Sequence, residues 1–376
     1  MDFPQAEYEA RLNRAHQAMA AAGLDALFFT TEAEMRYFTG FRTLFWQSPT
    51  RPWHLVIPSD GAPIAVIPEI GAAAMARTWI DDIRAWPSPA ATDDGVSLLA
   101  DALAGRSRIG MPMGRETQLR MPLLDFNDLR RRLPSAEIVD ATALMQGLRM
   151  VKSPAEIACL ARIAAIASAA FAEAPRLFHA GQALEAAFRA FRIELLRQGA
   201  EDVPYLVGGA SPDGHDDIIS PADASPLRPG AVLMLDTGAS LQGYFSDFDR
   251  NFAIVKAGDA VRHAHQTLWQ ATEAGLAVAR PGATAADLHR AMATVIGENG
   301  GGVGRMGHGL GMQLTEPPSL IDFDTTPLLP GMVITLEPSM TVVADRVLVH
   351  EEAIVIQDGP PRLLSTRAPP ELPIIG

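Results

Sequence analysis

Tyr8, Leu12, Ala15, Met19 and Ala22 recur at three- and four-residue steps, so the chain opens on a helix over 6–22 that Gly23 stops. Ala26–Thr30 is a short apolar run of strand type. Trp53–Pro58 and Pro63–Pro68 predict two strands joined by a turn at Ser59-Asp60-Gly61. Arg108–Met111 and Glu137–Val139 predict further strands flanking a helix from Gln118 to Arg132. Strands alternating with helices indicate a small α/β domain, residues 1–147, ending in the stretch Ala141–Met150.

The pattern then changes. Pro154–Leu177 is Ala-rich and helical, and Gln182–Gln198 predicts a second helix. Gly208–Pro229 is dense in Gly, Pro, Ser and Asp and reads as loop. Ala231–Leu235 and Gly243–Val255 are strand-like, joined across Ala239–Gln242. Helices follow at Ala260–Arg280 and Ala283–Glu298, then strands at Met332–Leu336 and Arg346–Ile356. Residues 148–376 thus form an α+β domain: helix pair, hairpin, helix pair, further strands. That order hints at two similar halves, although no sequence repeat is evident to prove it.

A length of 376 residues agrees with two domains. A formal charge of −13 argues against a nucleic-acid partner, which needs a basic face, and against anionic membrane surfaces. The single cysteine, Cys159, excludes an intrachain disulfide and sits in an apolar run as a small buried residue. The N-terminus lacks the basic-then-apolar layout of a signal peptide. No window holds 18 uninterrupted apolar residues, so no membrane span is expected and a cytoplasmic location is the simplest expectation.

Candidate chemistry lies in the second domain. Asp236 ends the apolar run Val232–Leu235, and Asp247 lies on the return strand of the hairpin. Glu337 follows Met332–Leu336, and Glu351 follows Val347–Val349 by one residue. One acid at a strand margin is ordinarily a solvated turn residue. Four of them demand a reason, because an unpaired buried charge is costly. His308, between Gly307 and Gly309, adds a nitrogen donor, and hard divalent ions prefer such oxygen-rich sets.

The strings Leu235-Asp-Thr-Gly238, Gly243-Tyr-Phe-Ser-Asp-Phe-Asp-Arg250, Gly307-His-Gly-Leu-Gly311, Glu316-Pro317 and Thr335-Leu-Glu-Pro338 resemble metallopeptidase family M24, which includes prolidase, aminopeptidase P, methionine aminopeptidase and creatinase. Steps of 11 from Asp236 to Asp247, 29 from His308 to Glu337 and 14 from Glu337 to Glu351 fit that family. The similarity covers Leu148–Ile356. More weakly, Arg11-Leu12, Gly23-Leu-Asp-Ala-Leu27 and Phe38-Thr-Gly-Phe41 resemble the creatinase-type N-terminal domain. The resemblance implies an α+β pita-bread catalytic domain behind a smaller α/β creatinase-type domain. It implies two divalent ions (manganese, iron, cobalt or zinc) held by Asp236, Asp247, His308, Glu337 and Glu351, with Asp247 and Glu351 bridging. Glu337 would be the general base, acting with His308, in attack of an activated water on an amide or peptide carbonyl. A homodimer and a small peptide or amide substrate are implied as well.

Three residues depart from the proline-specific members. Their histidine ahead of the first metal strand is Ile219 here, with His215 four residues too early. The histidine before their Glu-x-Pro is Thr315, and the arginine two residues before the last metal glutamate is Val349. Asp249 stands where the family commonly has Thr; it is a candidate to orient water or bind a cationic substrate, unless it pairs with an arginine. His215 is a candidate replacement histidine. In the aromatic loop 40–53, Arg42 and Trp46 are candidates to cap the pocket, against core packing or a dimer contact.

The string Gly302-Val-Gly-Arg-Met-Gly307 matches a dinucleotide loop only in its glycines, since it follows a helix rather than a strand. His350-Glu351-Glu352 is expected in a strand and lacks a zincin's second histidine. The expected function is a dinuclear-metal hydrolase of Xaa-Pro peptidase type. The alternatives are a hydrolase or lyase on a small non-peptide nitrogenous metabolite, or a catalytically silent metal-binding homologue.

Overall fold

The computed structural model describes every residue except 49–50, 298–303 and 344. The end of the helix expected to reach Glu298 and the first residues of the Gly302–Gly307 string therefore lie outside the described residues. The chain divides into two compact units, Met1–Arg149 and Met150–Gly376.

The first unit runs α1 (Gln5–Ala22), β1 (Ala26–Phe29), α2 (Glu32–Thr39), β2 (His54–Pro58), β3 (Ile64–Pro68), α3 (Ala72–Met75), β4 (Asp82–Trp86), α4 (Val96–Leu103), β5 (Arg108–Met111), α5 (Leu123–Arg132), β6 (Glu137–Asp140) and α6 (Thr142–Met150). Gly23 closes α1 in the left-handed conformation, as its position predicts. The strands form one mixed sheet in the order β4-β3-β2-β1-β5-β6. Phe28, Val56, Val66, Leu99, Leu103, Ile109 and Leu129 make its core. Helix α5 begins five residues later than expected, because Pro122 disfavours helical geometry in the residue before it and occupies the N-cap.

The second unit comprises α7 (Pro154–Ala172), α8 (Ala174–Leu177), α9 (Leu184–Gln198), β7 (Asp202–Ser211), β8 (Val232–Leu241), β9 (Tyr244–Phe245), β10 (Phe248–Ile254), α10 (Asp259–Val278), α11 (Ala285–Ile296), β11 (His308–Gly309), β12 (Glu316–Ser319), β13 (Val333–Leu336), β14 (Ser339–Val343), β15 (Arg346–Val349), β16 (Glu352–Val355), β17 (Arg362–Leu363) and β18 (Ile374–Ile375). Two five-stranded sheets carry it, one with β18-β10-β8-β7 in order and β9 on β8, the other β12-β11-β13-β16-β17. Helix α7 is long and apolar enough by composition to cross a membrane. Its Ser153–Glu156 capping box and its buried face (Cys159, Leu160, Ile163, Ala164, Ala167, Ala170) make it a packed helix of the second unit, where it lies on α9 and β8.

Three strand expectations are corrected. The segment 208–211 belongs to β7 rather than to a loop. Gly208 makes this possible: its φ is +134°, and a Cβ there would sit 2.1 Å from the Met234 carbonyl oxygen of β8. Strand β8 does not end at Leu235 but runs to Leu241, so Asp236 is mid-strand. The expected strand Arg346–Ile356 is two strands in different sheets, with His350 and Glu351 between them.

The hint of two halves has a structural counterpart. Gly181 N–H donates to Leu227 O, Leu184 to Ser225 and Glu185 to Asp223; Gly282, Ala285 and Ala286 repeat the pattern on Leu328, Thr326 and Asp324. Every pair is shifted by 101 residues. The 101-residue period corrects the expectation that no sequence repeat is present: Ser225-Pro-Leu-Arg-Pro-Gly-Ala-Val-Leu-Met-Leu-Asp236 aligns with Thr326-Pro-Leu-Leu-Pro-Gly-Met-Val-Ile-Thr-Leu-Glu337. Asp236 and Glu337 are therefore equivalent positions in the two halves.

Candidate metal centre

Strand pairing gathers the acids. On β8 and β10, Asp236 lies directly across from Asp249, and Asp247 is two residues before Asp249, ahead of the first residue of β10. Cross-strand partners share a face, which sets Asp236 beside Asp249, while Asp247 lies in a break between β9 and β10 rather than on the continuous return strand expected. In the second sheet His308 opens β11 beside β13, and Glu337 follows β13, its N–H bonded to Met306 O at 2.9 Å. Gly307 permits that approach: its φ is +131° and a Cβ would lie 2.2 Å from Thr335 O, the counterpart of Gly208 against Met234.

One donor atom each from Asp247, His308 and Glu351 lies within 4.8 Å of the others, all three residues buried. His308 Nε2 is 3.4 Å from Asp247 Oδ2 and 3.9 Å from Glu337 Oε2. His308 Nδ1 is 2.9 Å from Gly309 O. A carbonyl only accepts, so Nδ1 carries the proton and Nε2 presents its lone pair. Burial lowers the His308 pKa to about 4, which keeps the ring neutral.

Desolvation raises the pKa of Asp236, Asp247, Glu337 and Glu351, and neighbouring carboxylates raise Asp247, Glu337 and Glu351 further, whereas hydrogen bonds from Tyr205 and the Thr237 N–H pull Asp236 back. Asp236 Oδ1 and Glu351 Oε1 are buried without a hydrogen-bond partner. Clustered carboxylates with orphaned oxygens beside a neutral imidazole nitrogen form a donor set suited to divalent ions. The residues fit the group that the resemblance implies.

A cavity of about 200 Å³ opens on this cluster, lined by Tyr205, Ile218, Asp236, Asp247, Arg305, His308, Leu314, Thr315, Glu337, Ser339 and Val349. The sequence reading missed Tyr205, whose hydroxyl hydrogen-bonds Asp236. Its signal was Gly238 of the Leu-Asp-Thr-Gly string: Tyr205 pairs with Gly238, and a Cβ there would lie 2.9 Å from Tyr205 Cβ. Arg305 and Ser339 were missed as well.

The other candidates are placed variously. Thr315 and Val349 line the cavity. Ile219 is exposed, and its neighbour Ile218 faces the cavity instead. His215 is buried, bridges to Val347 through the backbone and is not among the lining residues. Among the described residues Asp249 forms no ion pair with an arginine: Oδ2 accepts from Asn251 Nδ2 at 2.7 Å, while Arg250 turns to Glu352 at 2.9 Å. Asp249 Oδ1 is buried without a partner, and desolvation raises its pKa well above the usual carboxylate range. In the first unit Arg42 pairs with Asp2 at 3.1 Å, and Trp46 packs on Trp53 with Arg120 over its ring.

The sequence profile of metallopeptidase family M24 matches residues 158–358, more than half of the chain. The chain belongs to metallopeptidase family M24. The creatinase/prolidase N-terminal domain profile matches residues 11–151. Among curated M24 relatives, "Probable dipeptidase PepE" of Mycobacterium tuberculosis is 28% identical over 96% of this chain and 97% of its own. The Xaa-Pro dipeptidase of Lactobacillus delbrueckii subsp. lactis is 23% identical over 85% and 87%. The crystal structure of dipeptidase PepE from Mycobacterium ulcerans superposes with a TM-score of 0.85 at 26% identity, covering 99% of both chains. The Xaa-Pro dipeptidase from Bacillus anthracis gives 0.84 at 21% identity, covering 98% and 100%, and supports the fold. The fold is the pita-bread catalytic domain with its creatinase-type N-terminal domain, and the protein is a hydrolase of the M24 class.

Proposed function

We propose that Asp236, Asp247, His308, Glu337 and Glu351 hold two divalent ions, drawn from manganese, iron, cobalt or zinc, and that the protein is a dipeptidase of Xaa-Pro type. The observation that carries this reading is the set of buried acids with raised pKa and orphaned oxygens around one small cavity. Ions bound there would supply Lewis acidity and a water of lowered pKa. The chain's own groups supply the rest. His308 offers a neutral Nε2, and the Tyr205 hydroxyl fixes the orientation of Asp236. Glu337, at the edge of the cavity and 29% exposed, would take a proton from water and return it to the departing nitrogen. A cavity of about 200 Å³ suits a two-residue substrate, and Ile218, Leu314 and Val349 give it an apolar wall. The dipeptidase names of the relatives point the same way.

A second reading is a small non-peptide amide, favoured by Thr315 and Val349 at two cavity positions where proline-specific members have a histidine and an arginine. Metal analysis together with a panel of Xaa-Pro dipeptides and non-peptide amides tests both. Two ions per chain, Xaa-Pro turnover, and a fall of roughly 10²–10⁴ in kcat for Glu337→Gln with metal retained are expected. Turnover of amides alone selects the second reading, and an undiminished Glu337→Gln removes the assigned base.

A further inference from the structure

Among the described residues, three buried carboxylate oxygens lack a hydrogen-bond partner: Asp236 Oδ1, Glu351 Oε1 and Asp249 Oδ1. Two of them belong to ligand candidates, and a cation would satisfy them. The third belongs to a residue outside that set, 1% exposed and directly across from Asp236 on β10. Cross-strand partners share a face, so Asp249 stands on the side of the sheet that carries Asp236. Its charge bears on all four acids: it raises the pKa of Asp247 and Glu351, while Asp236 and Glu337 raise its own. The rest of the side chain is fixed. Oδ2 accepts from Asn251 Nδ2 at 2.7 Å, the same Nδ2 donates to Val349 O at 2.7 Å, and the Glu351 N–H donates to the Asp249 carboxylate. Arg250 donates to the main-chain oxygen of Asp249 and pairs with Glu352, so the side chain is not spent on that arginine.

A buried carboxylate oxygen without a donor is costly, and an oxygen kept bare beside four other acids suits one kind of neighbour, a multivalent cation. Asp249 lies outside the trio Asp247, His308 and Glu351, whose donor atoms gather within 4.8 Å of one another. We propose that Asp249 is a further residue of the metal centre, supporting the ions from beside the five ligand candidates by turning its bare Oδ1 toward them. It adds a negative charge to those of the ligand carboxylates, and it holds the main chain of Glu351 through the N–H. Thr, the residue common at this position in the family, would supply a hydroxyl and no charge. The proposal rests on the reading that the five residues hold divalent ions.

The test is isothermal titration calorimetry of EDTA-treated protein with Mn²⁺ and with Co²⁺, on wild type, Asp249→Asn and Asp249→Thr, with the melting temperature of each metal-free protein measured alongside. In Asp249→Asn the amide oxygen can still accept from Asn251, which leaves the amide N–H groups where the bare oxygen was. Shape is kept, and the attraction for a cation is lost. The metal Kd should rise about 10–100-fold, the range for groups that back the ligands of a metal, and Asp249→Thr should show a rise of the same order. Metal-free Asp249→Asn should melt no lower than wild type, since an amide is cheaper to bury than an unpaired carboxylate. Weaker metal binding by a chain that is no less stable is a combination that a purely structural residue does not produce. Wild-type affinity in either variant, or a lower metal-free melting temperature of Asp249→Asn accompanying its loss of metal, overturns the proposal. Wild-type protein that takes up neither ion refutes the metal-centre reading itself, and this proposal with it.

Discussion

Removing metal should expose the cost of the acid cluster, with a defined dependence on pH. In the metal-free chain burial raises Asp236, Asp247, Glu337 and Glu351 above their ordinary values of 3.8 and 4.5. The unfolded chain then releases its protons at lower pH than the folded one. Between the unfolded and folded values the folded state binds more protons, so stability falls as pH rises. The loss begins above the unfolded carboxylate range and continues until the folded value of Glu337, about 8, is passed. Metal-free protein should therefore lose melting temperature steadily from about pH 5 to about pH 8. Ions that bind only the folded chain reverse this. At 100 times its Kd each ion adds about 2.7 kcal/mol. A unit spanning residues 150–376 falls in the class where 1 kcal/mol moves Tm by roughly 2–4 °C, so two ions should add roughly 10–20 °C. The assay is differential scanning fluorimetry across that pH range with EDTA, then with saturating Mn²⁺ or Co²⁺. A melting temperature flat with pH in EDTA and unmoved by metal would refute the reasoning, since it would mean the acids are not an uncompensated cluster.

Other perturbations are sharper. Asp249→Asn removes a buried carboxyl whose pKa is raised by desolvation while keeping its shape, so metal-free protein should melt higher at pH 8 with a shallower pH slope; a lower melting point there would show Asp249 to be stabilising. Gly307→Ala forces a Cβ to within 2.2 Å of Thr335 O at a φ of +131°, and should cost roughly 2–5 kcal/mol in urea unfolding, with reduced metal content because His308 is adjacent. Lys152→Met removes the ammonium 3.0 Å from Glu316, which is 2% exposed and keeps the Gln313 N–H on its other oxygen. That should cost about 3–5 kcal/mol, much of it recovered when Glu316→Leu is added. Equal stability of the single and double variants would show that the cost is packing rather than charge.

Much of this protein is legible in its sequence, and for local reasons. Helices α1, α9 and α10 follow from apolar spacing, and the stop at Gly23 from the left-handed conformation that glycine adopts readily. The five metal-site candidates stand out because four acids at the margins of apolar runs cannot be explained one at a time. The doubled fold is only hinted at by element order; its short Pro-Gly-x-Val-x-x-Leu-acid string, ending at Asp236 and again at Glu337, stands out once the paired backbone hydrogen bonds set the 101-residue period. Tertiary structure decided what depends on partners distant in the chain. Gly208 and Gly209 resemble loop by composition, but pairing with β8 makes them strand, and at Gly208 only a glycine admits Met234 O so closely. Local apolarity cannot locate the break at His350-Glu351, because it arises where β15 pairs with β14 and β16 with β13. Tyr205 and Arg305 reach the cavity through pairing and loop placement. Residue type states what a side chain can do, and strand register and packing determine what it meets.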